Sequence, residues 1–300
     1  MATVNNRIKN PQALTINSIA AGGLSHVTIQ QGYDNIMATG PDGLAVPVRD
    51  REIAYTRGSI VSEDWVHVIE LLTGAVGTGV FYARKSGVAA ATGYLKYTLT
   101  APVIHRMALS VRQGGYATIA FDFECRAADP AKTFADMLAI TDSQAVPTYV
   151  AAARGGYRIE TAVHGVGTNI YHVTALDFAL AMRLVKACND GDVGYTCVDC
   201  EVDGMAASGS LTIQDASIAS STLLSQRLLA LAAADLVVTV TQSAGAADKV
   251  ITIANVTFDS AEDSADSGAD FSSFRVPFGI NNDVDTPLTL SGTDKILAVA

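Results

Sequence analysis

Residues 117–126 read Ala117-Thr118-Ile119-Ala120-Phe121-Asp122-Phe123-Glu124-Cys125-Arg126. Successive side chains of an extended chain point to opposite sides, so Phe121, Phe123 and Cys125 share one face and Asp122, Glu124 and Arg126 the other. That alternation predicts a strand of an antiparallel sheet with one covered side. Near the C-terminus Phe274, Val276 and Phe278 repeat the same beat.

Outward from this segment, β-branched and aromatic residues at a period of two predict further strands. They fall at 14–19, 26–30, 53–57, 79–84, 94–100, 107–112, 157–163, 169–173, 193–202, 210–214, 236–241, 249–258 and 271–278. Helices are fewer. Ser62 is placed to cap one whose Trp65, Val68, Ile69 and Leu72 form a stripe, with Glu63 and Asp64 at the positive end of its dipole and Gly74 as a stop. Thr174 and Asp177 resemble a capping box ahead of a helix over 178–187. Asp129 and Pro130 predict a helix through Ile140, and Ser221 one through Ala233. The expected fold is mainly β with a few helices.

At 300 residues the chain is long enough for two medium domains, expected at 1–150 and 151–300. A shift of 113 positions lays Asp64 on Asp177, Trp65 on Phe178, Val80 on Val193 and Tyr82 on Tyr195, which reads as a capped helix followed by a strand, twice. A rival register sets 19–30 against 205–214. Either predicts an internal duplication.

The chain is 49% hydrophobic and 17% charged, with net charge -10, so much apolar surface must be buried, some of it between subunits. No basic run exists to grip a phosphate backbone. The first twelve residues hold Arg7 and Lys9 but no apolar stretch, unlike a secretory signal. The longest apolar region, 223–240, is interrupted by Gln226, Arg227 and Asp235, and does not predict a membrane span. Four cysteines are too few to staple 300 residues and fit a reducing compartment.

The sequence holds no catalytic set in a recognisable spacing. Cys197 and Cys200 on one strand would face opposite ways, so they read as structural thiols rather than metal ligands. The five histidines, His26, His67, His105, His164 and His172, follow no ligand or catalytic spacing. Gly74, Gly77 and Gly79 follow a predicted helix and lead into a strand, the wrong order for a phosphate loop. Asp259, Glu262, Asp263, Asp266 and Asp270 form an acidic loop without calcium-loop spacing. No enzyme activity, cofactor or metal is expected.

The run Ser62-Glu63-Asp64-Trp65, the strand Val80-Phe81-Tyr82, the paired-aromatic strand 121–125 and a second version over 174–278 resemble the tail tube proteins of long-tailed bacteriophages. The resemblance implies two tandem tube-like domains of β-sandwich or half-barrel form. The first would carry an N-terminal arm and a long loop at 31–47, the second a C-terminal extension, and ring assembly would complete the barrel. It implies a virion protein, assembled in the host cytoplasm, that polymerises as stacked homotrimeric rings into a tail tube for DNA ejection. Its partners would be itself and other tail proteins (tape measure, terminator, distal tail), with DNA only as passing cargo and no membrane. Strand-borne acids, Asp122, Glu124, Asp199, Glu201 and Asp203, would line the bore. Asp34, Asp42, Asp259, Asp263 and Asp266 would sit in loops that reach the next ring. The alternatives are a baseplate hub or distal tail protein, and a carbohydrate-binding β-sandwich adhesin, for which the single tryptophan, Trp65, offers little stacking surface.

Overall fold

The alternation at 118–125 becomes a strand in the computed structural model, which describes residues 8–16, 19–35, 38–39, 45–46, 51–65, 68, 78–85, 89, 91–125, 134–145, 157–187, 199–214, 228–242, 249–260, 262–264, 273–280 and 288–290. Ile119, Phe121, Phe123 and Cys125 are all buried there. Sheet strands are dominant and, wherever paired, antiparallel. In chain order they are β1 (Ile8–Ile16), β2 (Ile19–Ala21), β3 (Leu24–Asn35), β4 (Ala38–Thr39), β5 (Ala45–Val46), β6 (Arg51–Ser62), β7 (Gly79–Lys85), β8 (Tyr94–Leu99), β9 (Pro102–Arg112), β10 (Thr118–Cys125) and β11 (Leu138–Gln144). The second half holds β12 (Tyr157–His164), β13 (Thr168–Ile170), β14 (Val173–Ala187), β15 (Asp199–Gln214), β16 (Ala234–Gln242), β17 (Lys249–Phe258), β18 (Glu262–Ser264), β19 (Ser273–Ile280) and β20 (Leu288–Leu290). A four-residue helix, α1 (Phe134–Met137), precedes β11.

The pairings resolve into one arrangement made twice. In the first half β2-β1-β7-β8-β11 form one layer and β3-β6-β10-β9 another. In the second, β13-β12-β16-β17-β20 repeat the first layer and β14-β15-β19-β18 the second. Local irregularities recur at matching places. A bulge interrupts β1 against β7 between Pro11 and Ala13, and β12 against β16 between Ile159 and Thr161. Positive φ occurs at Gly23 and its counterpart His172 (61° and 59°), and at Ala101 and its counterpart Asn255 (42° and 50°). The Glu63 N–H donates to Gly23 O, and the Gln214 N–H to His172 O, each at 2.9 Å.

A close approach is also repeated. Gly58 of β6 sits opposite Phe123 of β10, and Gly209 of β15 opposite Phe278 of β19. A β-carbon at either glycine would collide with that ring and with a neighbouring-strand carbonyl, Thr28 O or Asp177 O. Only glycine lets the ring lie flat against the strand at this point.

Each unit is a sandwich. Leu14, Phe81, Tyr97 and Leu99 from the first five-stranded layer pack with Ile60, Met107, Leu109, Phe121 and Phe123 from the opposing one. Phe81 and Tyr97 stack at 4.4 Å between centroids. In the second unit Val238, Val240, Ile251 and Ile253 face Leu176, Phe178, Leu211, Val276 and Phe278. Burying each such side chain is worth about 1.5–3 kcal/mol. His164 is buried there, its Nε2 at 3.0 Å from Val256 O and its ring 5.0 Å from Phe258.

The two units share one sheet. β9 pairs with β14 from Arg106↔Ala181 to Arg112↔Ala175, so the run β3-β6-β10-β9-β14-β15-β19-β18, here the long sheet, is continuous; next to β18, Val256–Phe258 of β17 also pair with β19, and through them the sheet runs on into the second cover layer. Each five-stranded layer covers one half of it.

Several expectations are corrected. The helix expected over 178–187 is strand β14, whose Leu176, Phe178, Leu180 and Met182 are buried at a period of two; pairing on both edges overrides its alanine-rich helical propensity. The helix expected to Ile140 ends at Met137, where β11 begins and pairs with β8. The helix expected to Ala233 shows helical residues only at 228–229, with 221–227 outside the described residues. Thr168–Ile170 is strand, while Tyr171 and His172 are not. The shift of 113 positions is overturned, because Asp64 and Trp65 open a helical turn whereas Asp177 and Phe178 lie inside β14. The rival register also fails: the unit repeats by 151 positions at Gly58 and Gly209 and by 155 at Phe123 and Phe278.

The Ser62 cap is as expected. Ser62 Oγ accepts from the Asp64 N–H at 3.0 Å, and Val68 N–H donates to Asp64 O at 3.1 Å. Trp65 and Val68 are fully buried; Ile69 and Leu72 lie outside the described residues.

Candidate functional site

The long sheet has one face against the cover layers and one turned away from them. On β9 the core side carries Met107, Leu109 and Val111, and the outer side carries Arg106, Ala108, Ser110 and Arg112. On β14 the outer residues are Ala175, Asp177, Ala179 and Ala181; on β15 they are Ala206, Ser208, Ser210 and Thr212. Small and hydroxyl side chains dominate this face, because a sheet exposed on one side needs apolar residues only on the other.

Acids on the outer face stand opposite arginines. Asp122 pairs in register with Arg106, and Glu124 with Arg57. At the join between the units Arg112 Nη2 lies 3.3 Å from both carboxylate oxygens of Asp177, and Ser110 Oγ donates to Asp177 Oδ1 at 2.6 Å. Arg275 Nε donates to Ser210 Oγ at 3.0 Å, and the Arg57 guanidinium lies 3.7 Å over the Tyr55 ring. Opposite charges across strands contribute about 0.2–1 kcal/mol each. Their larger effect is to leave the described part of this face with mixed charge.

The expected bore residues therefore have different fates. Asp122 is half-buried on the outer face. Glu124 is 4% exposed, which corrects the expectation of a solvent-facing acid there. Asp199, Glu201 and Asp203 lie on β15 in register with Ala187, Val185 and Arg183, at alternate positions of one strand.

Of the expected inter-ring loop residues, Asp34 is in β3, opposite Ile53. The segment expected to loop from residue 31 is strand as far as Asn35, because β3 follows β6 through eleven paired positions. Asp263 is in β18, opposite Phe274, so part of the acidic loop is also strand. Asp259 is exposed and its N–H donates to Pro277 O at 3.2 Å. Asp42 and Asp266 lie outside the described residues.

Neither end of the long sheet is paired beyond β3 or β18 among the described residues. An open edge presents a row of backbone N–H and C=O groups to whatever strand can reach it. Alternation marked the strands but carried no sign of which would be terminal. The repeat had a legible sign, Gly58-Ser59-Ile60 against Gly209-Ser210-Leu211.

Among the described residues no three His, Cys, Asp or Glu side chains cluster as a metal site. Cys125 is a buried free thiol, its pKa pushed up to about 12 by burial and then by neighbouring Glu124. Cys200 lies in β15 and Cys197 outside the described residues. No described helix is long and apolar enough to cross a membrane.

Comparison with protein-family models and with curated proteins returns no match for this chain.

Proposed function

We propose that the protein is a structural subunit that assembles with copies of itself, and that the assembly is a phage-type tail tube. The observation that carries this reading is the long sheet: two copies of one sandwich share it, and among the described residues nothing pairs with the outer edge of β3 at one end or of β18 at the other. A repeated unit that already joins edge to edge inside one chain is suited to join in the same way between chains. Head-to-tail contacts of that kind generate rings where the rotation closes.

In a tube of sixfold pseudo-symmetry, two units per chain require three chains per ring. The outer face of the long sheet would line the bore. Its described part is rich in Ser, Thr and Ala, with acids set against arginines. On such a wall Arg57 and Arg106 stand opposite acids and Arg112 is ion-paired with Asp177, which weakens their hold on duplex DNA, whose charge density is about one per 1.7 Å of axis. Conduction of DNA, residence in the virion and contact with other tail proteins belong to this same proposal.

Negative-stain and cryo-electron microscopy of purified protein, with sedimentation velocity, test it. Stacked rings of three chains are expected. Rings of six whole chains would refute the stoichiometry. A single ring that never stacks would favour a hub or distal tail protein, and a monomer at every concentration would overturn self-assembly.

A further inference from the structure

The join between β9 and β14 serves as a template for the edge of β3 that no described residue pairs. β3 is the counterpart of β14: Thr28 lies opposite Ser59 as Asp177 lies opposite Ser210, and Ile29 lies opposite Gly58 as Phe178 lies opposite Gly209. Yet their burial differs. In β14, Leu176, Phe178 and Leu180 are at most 1% exposed; at the matching places in β3, Val27 and Ile29 are only half-buried and Gln31 is exposed.

The difference has a local cause. β14 has β9 on its outer edge, with Met107, Leu109 and Val111 buried between the layers. Beside β3 that place is an open cleft of about 520 Å³, walled by Val27 and Ile29 on one side and Phe81, Tyr97 and Leu138 on the other. The cleft is the space that β9 fills in the second unit.

The counterpart of β9 is divided: Val256–Phe258 at the end of β17 answer Pro102–Ile104, and β18 answers Ala108–Ser110. Ser110 of β9 lies opposite Thr118 of β10, and Ser264 of β18 opposite Ser273 of β19. β18 ends the long sheet at the far side, seven strand spacings from β3, about 34 Å along the sheet at ~4.8 Å each. Within this eight-stranded sheet the two therefore cannot pair with each other.

We infer that β3 of one copy pairs antiparallel with β18 of a second copy, in the register of β9 on β14. This sets Thr28 opposite Ser264, Ile29 opposite Asp263 and Gln30 opposite Glu262. The inference rests on the reading of the chain as a self-assembling subunit and names the two edges that meet. Asp263 stands at the register position that Leu109 holds in the inner join, so the join between chains is carried by main-chain hydrogen bonds with less apolar filling.

The test is a cysteine pair at the predicted contact. Residues directly opposite in an antiparallel pair have α-carbons about 4.5–5.5 Å apart, within disulfide reach. Thr28→Cys/Ser264→Cys is made in full-length protein with Cys188, Cys197 and Cys200 changed to serine, oxidised, and run on non-reducing gels beside each single variant. A ladder of covalent multimers from the double variant alone is expected. Cross-linking by Thr28→Cys alone would mean that β3 edges pair with each other, and would overturn the inference. Wild-type-like association by sedimentation without cross-links would overturn it while sparing the self-assembly reading; no association of the unmodified protein at any concentration would overturn both. Ile29→Asp gives a second readout, because it sets a like charge opposite Asp263: with circular dichroism unchanged, the association constant should fall at least tenfold, and an unchanged constant would count against the β3 edge.

Discussion

The ring of Phe123 lies across the α-carbon of Gly58, so that a β-carbon at residue 58 would stand 2.8 Å from its Cζ. Phe278 and Gly209 share this relationship in the second unit. Gly58→Ala and Gly209→Ala should each lower stability by about 1–3 kcal/mol, the usual cost of overpacking. Phe123→Leu should recover part of the loss in Gly58→Ala, and only part, because the Thr28 carbonyl still crowds the new methyl. Denaturant titration of the single and double variants measures this; wild-type midpoints in both alanine variants would show that the close approach is dispensable.

Trp65 is the single tryptophan and is fully buried in the first unit. Its fluorescence therefore reports on that unit, whereas far-UV circular dichroism reports on both. Because β9 and β14 pair along seven positions, the units should unfold together and the two transitions should coincide. A fluorescence midpoint well separated from the dichroism midpoint would show that the shared sheet does not couple them.

The thiol of Cys125 is held protonated by burial and by Glu124, with its pKa near 12. With the other three cysteines changed to serine, native protein at pH 8 should react with a thiol reagent at least about a thousandfold more slowly than unfolded protein, because the thiolate is the reactive form. Labelling followed by mass spectrometry checks this. Rapid labelling without unfolding would mean that the core around β10 opens locally.

Lys85 is 6% exposed and bonds through its ammonium to Asp142, whose side chain is exposed. That bond, followed by the Ser143 N–H, holds the Asp142 carboxyl below its ordinary value. A carboxyl depressed in the folded state contributes stability above its unfolded pKa, about 3.9, and loses it as pH falls through the folded value. Thermal midpoints of wild type and Asp142→Asn should therefore differ by a constant amount above about pH 4 and converge below it. A difference that persists unchanged to pH 2 would assign the effect of the substitution to something other than this carboxylate.

How far the fold was legible depended on whether local signal and tertiary context agreed. At β10 they agreed: buried and outer residues alternate as 118–125 predict, and Glu124 departs only in being buried on the outer face. At β14 they conflicted. Ala175, Ala179, Ala181 and Ala187, with Thr174 and Asp177 ahead, suit a helix, while the period of two in Leu176, Phe178, Leu180 and Met182 suits a strand. Pairing with β9 and β15 settled it, and the false helix produced the false shift of 113 positions. The acids at 122 and 124 were legible as one side of a strand. Their arginine counterparts, Arg106 and Arg57, were not, since nothing local states which strands lie next to β10.

By itself the sequence determined that this chain builds antiparallel sheets with one covered face, because alternation of apolar and polar residues is a property of each strand alone. It also held a sign of the structural repeat that the shift of 113 positions missed, Gly58-Ser59-Ile60 against Gly209-Ser210-Leu211, where a ring must lie against a strand without a β-carbon. Only the tertiary structure decided that β9 joins β14 and that β3 and β18 are left at the ends. Strand pairing is made by backbone N–H and C=O groups that every residue except proline carries alike, so the choice of neighbour is set by which edges the folded layers bring together.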